Sequence, residues 1–271
     1  MSDIDTTPPM FQPYELRSIV LPNRVVVSPM DMYSADNGVP TEWHLIHYGS
    51  RAMGGAGLII AEMTAVSELG RITPGCAGIY NTEQVLAWKR ICDFVHEHTP
   101  SKIGVQIGHS GRRGSTKRMF HGQNEPLIEG NWELIAPSAI PYGEHNQLPI
   151  AMNQDMIDQL IKDFRGAASN AAMAGFDAIE LHCAHGYLLS GFLSPIGNKR
   201  NDEYGGDLAN RLRVPLEIFD AMRAVFPSNL PMGVRISAHD LVEGGNTDDE
   251  AVNISRAFKE HGADYIAASS G

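Results

Sequence analysis

Six short apolar runs, each turning polar only at its C-terminal end, constrain this chain more than any other feature. They are RVVVSPM (Arg24–Met30), AGLIIAEMTAV (Ala56–Val66), KIGVQIGH (Lys102–His109), FDAIELHCA (Phe176–Ala184), PMGVRISA (Pro231–Ala238) and ADYIAASSG (Ala263–Gly271). A strand wet on one face alternates apolar and polar residues; a near-continuous run is the mark of a parallel strand buried on both faces. Helical patterns fall between the runs. Thr41 caps a pattern carrying Leu45, Tyr48 and Ala52, stopped at Gly54–Gly55. Val85, Trp88, Cys92 and Val95 keep the spacing of a buried helix stripe. Asn153 caps Met156, Leu160, Phe164 and Ala167, closed at Gly175, and a further helix spans RLRVPLEIFDAMRAVF with a kink expected at Pro215. TDDE (Thr247–Glu250) is a capping box, a hydroxyl with a carboxylate three residues on.

Strand–helix alternation of this kind means a parallel α/β fold, doubly wound or barrel. The dinucleotide fingerprint of the doubly wound class is missing: GGAG (Gly54–Gly57) precedes a strand, whereas the fingerprint follows one. Polar residues collect at the strand ends, at Ser28, Glu62, Gln106, His182, Arg235 and Ser269. Barrels of the (β/α)8 type keep their chemistry there. The expectation is therefore a TIM barrel made as one domain over residues 1–271. Only the first six of its eight βα units are present in the chain, without the last two strands and the phosphate site usually built on them.

Composition excludes several functions. With 32 acidic against 21 basic side chains the net charge is −11, the wrong sign for a general nucleic-acid or anionic-membrane binder. No apolar run approaches membrane-spanning length, and the N-terminus, MSDIDTTPPMFQPYEL, carries no export signal. Three cysteines without paired spacing suit a reducing cytoplasm.

The chemistry-bearing stretches start with IELHCAHGYLL (Ile179–Leu189). Residues three apart on a strand face opposite ways, so His182 and His185 converge only if the chain turns at Ala184–Gly186. They read as zinc ligands, as structural histidines, or as two N–H donors aimed at an oxygen that becomes negative. Tyr187 then stands close as a proton donor. Gln106 and Arg235 are polar groups inside apolar strands, suited to a heterocycle's edge and to an anionic ring, or else to an internal pair of Arg235 with Glu62 or Glu180. SPMDMYS (Ser28–Ser34) offers backbone N–H groups at a strand end, with Tyr33 lining a pocket. GHSGRRGSTKR (Gly108–Arg118) places Arg112, Arg113, Lys117 and Arg118 on a glycine-rich loop, able to steer phosphates or simply solvated.

Together LPNRVVVSPMDMYS, GLIIAEMTAV with GRITPG, KIGVQIGHSGRR, FDAIELHCAHGYLLSGFLSP, NKRNDEYGGDLANR and VRISAHD resemble the Old Yellow Enzyme family of FMN-dependent ene-reductases, in family order. GRITPGC, GSTKRMF and EGNWELIAPS are similar to one branch, the reductase portion of anthraniloyl-CoA monooxygenase/reductase and salicylyl-CoA hydroxylase proteins. The resemblance implies a (β/α)8 barrel, FMN as cofactor and NAD(P)H as reductant, with hydride passed by ping-pong to an activated C=C bond. It implies flavin contacts from Ser28, Pro29 and Met30, Met63 beside the ring, Gln106 on the pyrimidine edge and Arg235 near N1 and O2. His182 and His185 would bind the substrate carbonyl, Tyr187 would protonate carbon, and Tyr33 would close the pocket. Asp31 departs from the family pattern beside the flavin O4–N5 edge; it would lower the flavin potential or be held protonated.

The implied partner is a small molecule, an enone or an aromatic acyl-CoA thioester with its phosphates near Arg112–Arg118, and the chain is allowed to be a homo-oligomer. A non-catalytic barrel remnant and a metal-dependent hydrolase using His182 and His185 are the contrasting expectations.

Overall fold

A computed structural model describes residues 7–270. The first six residues of the stretch read for an export signal, and Gly271 at the end of the last run, lie outside the described residues. All six apolar runs form strands of one parallel sheet: β1 (Val26–Val27), β2 (Leu58–Ala65), β3 (Lys102–Gly108), β4 (Ala178–Cys183), β5 (Met232–Ser237) and β6 (Tyr265–Ser269). Each pairs with its successor in chain order. A doubly wound sheet reverses its order at a switch point; an unbroken order is the winding of a barrel. Among the described residues β1 and β6 stand at the two edges of the sheet. β1 is much shorter than its apolar run. It has one neighbour, and Pro29 has no N–H to give a ladder.

Six helices connect the strands: α1 (Glu42–Met53), α2 (Thr82–His98), α3 (Gln154–Ala174), α4 (Leu188–Leu193), α5 (Leu208–Arg223) and α6 (Asp248–Glu260). Their ends follow local chemistry. Asn81, Asn153, Asp207 and Thr247 each accept a backbone N–H at the helix start, and Gly175 closes α3 in the left-handed conformation. Thr41 caps α1 in a box whose third position is His44. Pro215 lies inside α5.

Alternate strand residues face outward, among them Ile59, Ile103, Val105, Ile179, Leu181 and Val234. They form the main core with Trp88, Phe164, Phe219 and Phe258 of the helices. The inward side carries Leu58, Ile60, Glu180, Arg235 and Tyr265. A hairpin, Tyr14–Leu16 with Ile19–Leu21, closes the N-terminal end: Ile19 and Leu21 pack on Leu58 and Ile60. Arg17 at its turn pairs with Asp264 at 2.6 Å and donates to the Ser228 carbonyl oxygen. No helix among the described residues is long and apolar enough to cross a membrane.

Candidate active site

The two histidines converge because the chain turns where the strand ends. His185 has φ +64° and Gly186 φ +71°, two successive left-handed residues of the sort that reverse a strand's direction. The His182 and His185 rings then lie 5.1 Å apart, and the Tyr187 ring lies 5.1 Å from His182 and 6.4 Å from His185. All three meet roughly edge to face.

Both imidazoles are neutral at pH 7. Burial, then the charge of His185, holds His182 well below its ordinary value. Burial, then Arg235 and Arg113, lowers His185 to about 4. A neutral ring keeps one N–H. His182 Nδ1 accepts the Ala184 N–H at 3.3 Å, which leaves its proton on Nε2. His185 Nε2 meets Ser269 Oγ at 2.7 Å, and its backbone N–H donates to Ser237 Oγ. The metal alternative gains no support from neighbours: no group of three or more His, Cys, Asp or Glu suited to an ion is found among the described residues.

Tyr187 belongs to a small buried cluster with Tyr33, Met63, Ile72 and Cys76. Tyr33 sits at φ +52°, a costly conformation for a bulky residue and one that concentrates at functional sites. A Cβ on Gly108 would stand 2.9 Å from Met63 Cγ and 3.2 Å from His182 Cβ, so the glycine lets these side chains close over the strand end. Burial raises the Tyr33 and Tyr187 phenols, and Asp31 is the strongest charge acting in the same direction on each.

Asp31 is partly buried and is pushed up to about 8. Burial is the main cause and the Glu62 carboxylate the second; the Met63 N–H, Arg113 and Arg235 oppose them. Glu62 itself is 1% exposed. It accepts the Met32 N–H at 3.0 Å and meets His44 Nε2 at 3.2 Å.

Arg235 has no carboxylate partner, so the internal pair expected with Glu62 or Glu180 does not form. Glu180 instead accepts from Gln106 Nε2 at 2.7 Å. That commits the Gln106 amide N–H and leaves its carbonyl oxygen free to accept. Arg235 reaches only Ser269 Oγ, at 3.4 Å, and its Nε is buried without a hydrogen-bond partner. An orphaned guanidinium donor is costly unless something accepts from it. Arg235 lines a cavity of about 540 Å³ with Ser28 and Pro29, between β1 and β6. A flat ring bearing carbonyl and nitrogen acceptors fits that donor, and a ring imide N–H fits the free Gln106 oxygen. Met30 is 49% exposed beside this cavity.

The loop after β3 is not simply solvated. Lys117 is tied to Glu125 at 2.7 Å. Arg112 and Arg113 turn back on the site: Arg113 donates to the His185 carbonyl oxygen and stacks 4.3 Å from the Tyr142 ring and 4.8 Å from the Tyr187 ring. The sequence flagged these arginines as a basic cluster but gave no sign of Tyr142, which lies in an irregular segment without periodicity.

A parallel sheet wound in chain order, with two neutral histidines, a tyrosine and an orphaned arginine at or near its C-terminal strand ends, is the frame of a barrel enzyme whose site suits an anionic, acceptor-rich ring. The chain belongs to the NADH:flavin oxidoreductase / NADH oxidase family, which it matches over residues 9–271. It is 41% identical over 264 residues to the NADPH dehydrogenase of Listeria innocua, covering 97% of this chain and 73% of the relative. Among solved structures, a morphinone reductase in complex with tetrahydroNAD superposes with TM-score 0.82 at 31% identity, over 96% of this chain and 73% of that one. A 2-naphthoyl-CoA reductase bound to 2-naphthoyl-CoA superposes with TM-score 0.87 at 26% identity, over 97% of this chain and 40% of that one. The protein is thus an NAD(P)H-dependent oxidoreductase of the Old Yellow Enzyme type, with FMN as its cofactor.

Proposed function

We propose that the chain reduces the activated C=C bond of an α,β-unsaturated carbonyl compound, with an aromatic acyl-CoA thioester as the favoured substrate class. The observation that carries the reading is the convergence of the His182, His185 and Tyr187 rings at the end of β4, with Arg235 opposite His182 on the neighbouring strand. The thioester finds support in the likeness to a reductase whose complex holds 2-naphthoyl-CoA, and in the motifs shared with the anthraniloyl-CoA branch. Residues 1–271 act as one FMN-binding barrel domain that contributes six βα units. Three free, buried thiols fit a cytoplasmic setting.

Bound FMN supplies the two-electron hydride store between NAD(P)H and substrate. Arg235, whose Nε lacks a partner, would donate to an anionic edge of the ring, and the Gln106 carbonyl oxygen would accept from its imide. Ser28, Pro29, Met30 and Asp31 would border it from the end of β1, and Met63 would pack against it. His182 Nε2–H and an N–H of His185 donate to the substrate carbonyl oxygen. Being neutral, they stabilise the developing enolate by hydrogen bonds fixed in place beforehand. The same pair orients the carboxamide of NAD(P)H in the other half-reaction. Tyr187 gives its O–H proton to the α-carbon, and Tyr33 closes the pocket over the substrate.

The test is anaerobic spectroscopy of the FMN-loaded chain. NAD(P)H should bleach the flavin band, and an enone or an aryl-CoA thioester should restore it. A flavin that NAD(P)H reduces but neither compound reoxidises would refute the substrate assignment.

A further inference from the structure

The glycine-rich loop after β3 and the turn after β4 are locked together. The Leu188 N–H donates to the His109 carbonyl oxygen at 3.1 Å. Gly111, at φ +57°, runs so close that a Cβ on it would stand 2.8 Å from Leu188 Cα. That approach sets the 3-10 turn Gly111–Arg113 beside Tyr187, the residue before α4. The Arg113 guanidinium lies against two rings, 4.3 Å from the Tyr142 centroid and 4.8 Å from the Tyr187 centroid. Two acceptors fix its orientation: the His185 carbonyl oxygen, and Asn124 Oδ1 at 3.1 Å. Neither is a carboxylate, and its Nε is buried without a hydrogen-bond partner. Tyr142 in turn rests against Gly186, where a Cβ would stand 3.1 Å from the Tyr142 Cε2.

We infer that Arg113 is a positioning residue for proton transfer: it holds a permanent positive charge against the Tyr187 ring and so stabilises the phenolate left when Tyr187 gives its proton to the substrate. The inference rests on the reading of Tyr187 as the proton donor. The step balances: the Tyr187 O–H bond breaks as the α-carbon gains its hydrogen, while the β-carbon takes hydride. The electron pair of the O–H bond stays on the phenolate, which then takes a proton from water. A phenolate spreads its charge from oxygen into the ring, so a cation over the ring is bound more strongly than by the neutral phenol. Arginine suits the place, being always charged and planar enough to stack. Tyr187 is 9% exposed, so water screens the pair little. Burial raises the phenol, Asp31, Tyr33 and Cys76 add to that, and Arg113 opposes them. The two imidazoles beside Tyr187 are neutral, so the positive charge at its ring comes from Arg113.

The experiment is a double-mutant cycle on the FMN-loaded chain, reduced beforehand and reoxidised by a saturating enone. Arg113→Met keeps the stem and removes the charge; it should slow reoxidation roughly tenfold. Tyr187→Phe removes the donor and should slow it roughly 100-fold. In the Tyr187→Phe background Arg113→Met should cost nothing further, because no phenolate forms there. Arg113→Lys keeps a cation without the planar fork and should stay within about threefold of wild type. Tyr142→Leu, which removes one of the rings that hold the guanidinium, provides a second cycle if Arg113→Met does not load FMN; it should slow the wild-type background about threefold and leave Tyr187→Phe unchanged. An equal loss in both backgrounds means that Arg113 only props up the fold, and overturns the inference. So does a wild-type rate in Arg113→Met, or a loss in Arg113→Lys as large as in Arg113→Met. If Tyr187→Phe reoxidises as fast as wild type, the reading of Tyr187 as donor falls and the inference with it. If Tyr187→Phe is slow and Arg113→Met is not, the inference falls and the donor reading stands.

Discussion

A single buried carboxyl in this barrel keeps its proton where water cannot reach it. Glu180 is 2% exposed, and burial raises its carboxyl from 4.5 to about 7, against the pull of Gln106 and Arg235. The sign of the pH effect follows from where protons sit. Between pH 4.5 and 7 the unfolded chain has lost the Glu180 proton and the folded chain still holds it, so rising pH favours unfolding. The cost is complete above 7. Glu180→Gln keeps an acceptor for Gln106 and removes the titration. Its stability relative to wild type should therefore grow as pH rises from 4.5 to 7, by on the order of 3 kcal/mol, and then level off. Denaturant melts across that range check it; a difference independent of pH would contradict the assignment. Which polar groups pair is also the part of the site that the sequence hid. An Arg and a Glu in neighbouring strands suggest an ion pair. Register decides otherwise: Gln106 lies opposite Glu180 in the β3–β4 ladder, while Arg235 lies opposite His182 in the β4–β5 ladder.

At the level of elements, the pattern of apolar runs and caps is sufficient for five of the six strands and for the helix ends at Thr41, Asn153, Gly175 and Thr247, whereas α5 begins and ends three residues before the run that marks it in the sequence. Continuous apolarity and capping side chains act within a few residues, so they are legible without the fold. β1 is shorter than the run Arg24–Met30 because strand length depends on how many neighbours a strand has, which no local window records. Arg112 and Arg113 are legible in the sequence as charge, but their partners are not, because Tyr142 and the His185 carbonyl lie tens of residues away. The Asn153 cap gives a direct check on the local logic. Its side chain accepts the Met156 N–H at 2.9 Å at the start of the 21-residue α3. Asn153→Ala should cost about 1 kcal/mol in a denaturant melt, and Asn153→Asp or Asn153→Ser should restore most of it.

For the whole molecule, the sheet has a graded interior. Among the described residues β3 and β4 are flanked on both sides by strands and covered by helices, whereas β1 and β6 each have one strand neighbour. Opening free energies in a sheet rise toward its most contacted strands. Amide exchange should therefore be slowest at Ile103–Ile107 and Ile179–Leu181, and fastest at Val26–Val27 and Tyr265–Ser269. Equal protection across all six strands would mean that the sheet opens only as a unit. The inward layer mixes Glu180, Gln106 and Arg235 with aliphatic side chains such as Leu58 and Ile60. The outward layer against the helices supplies the core.

The hairpin that closes the N-terminal end sets an order of events in the cell. Its turn, Arg17–Ser18, bonds to Ser228, Asn229, Gly262 and Asp264, partners more than two hundred residues downstream. On a ribosome the chain emerges from its first residue. Ile19 and Leu21 therefore leave the exit tunnel long before the segments that anchor the hairpin exist. Through most of translation this segment is an unlatched apolar ribbon, and it is the part of the nascent protein that holding chaperones would be expected to cover.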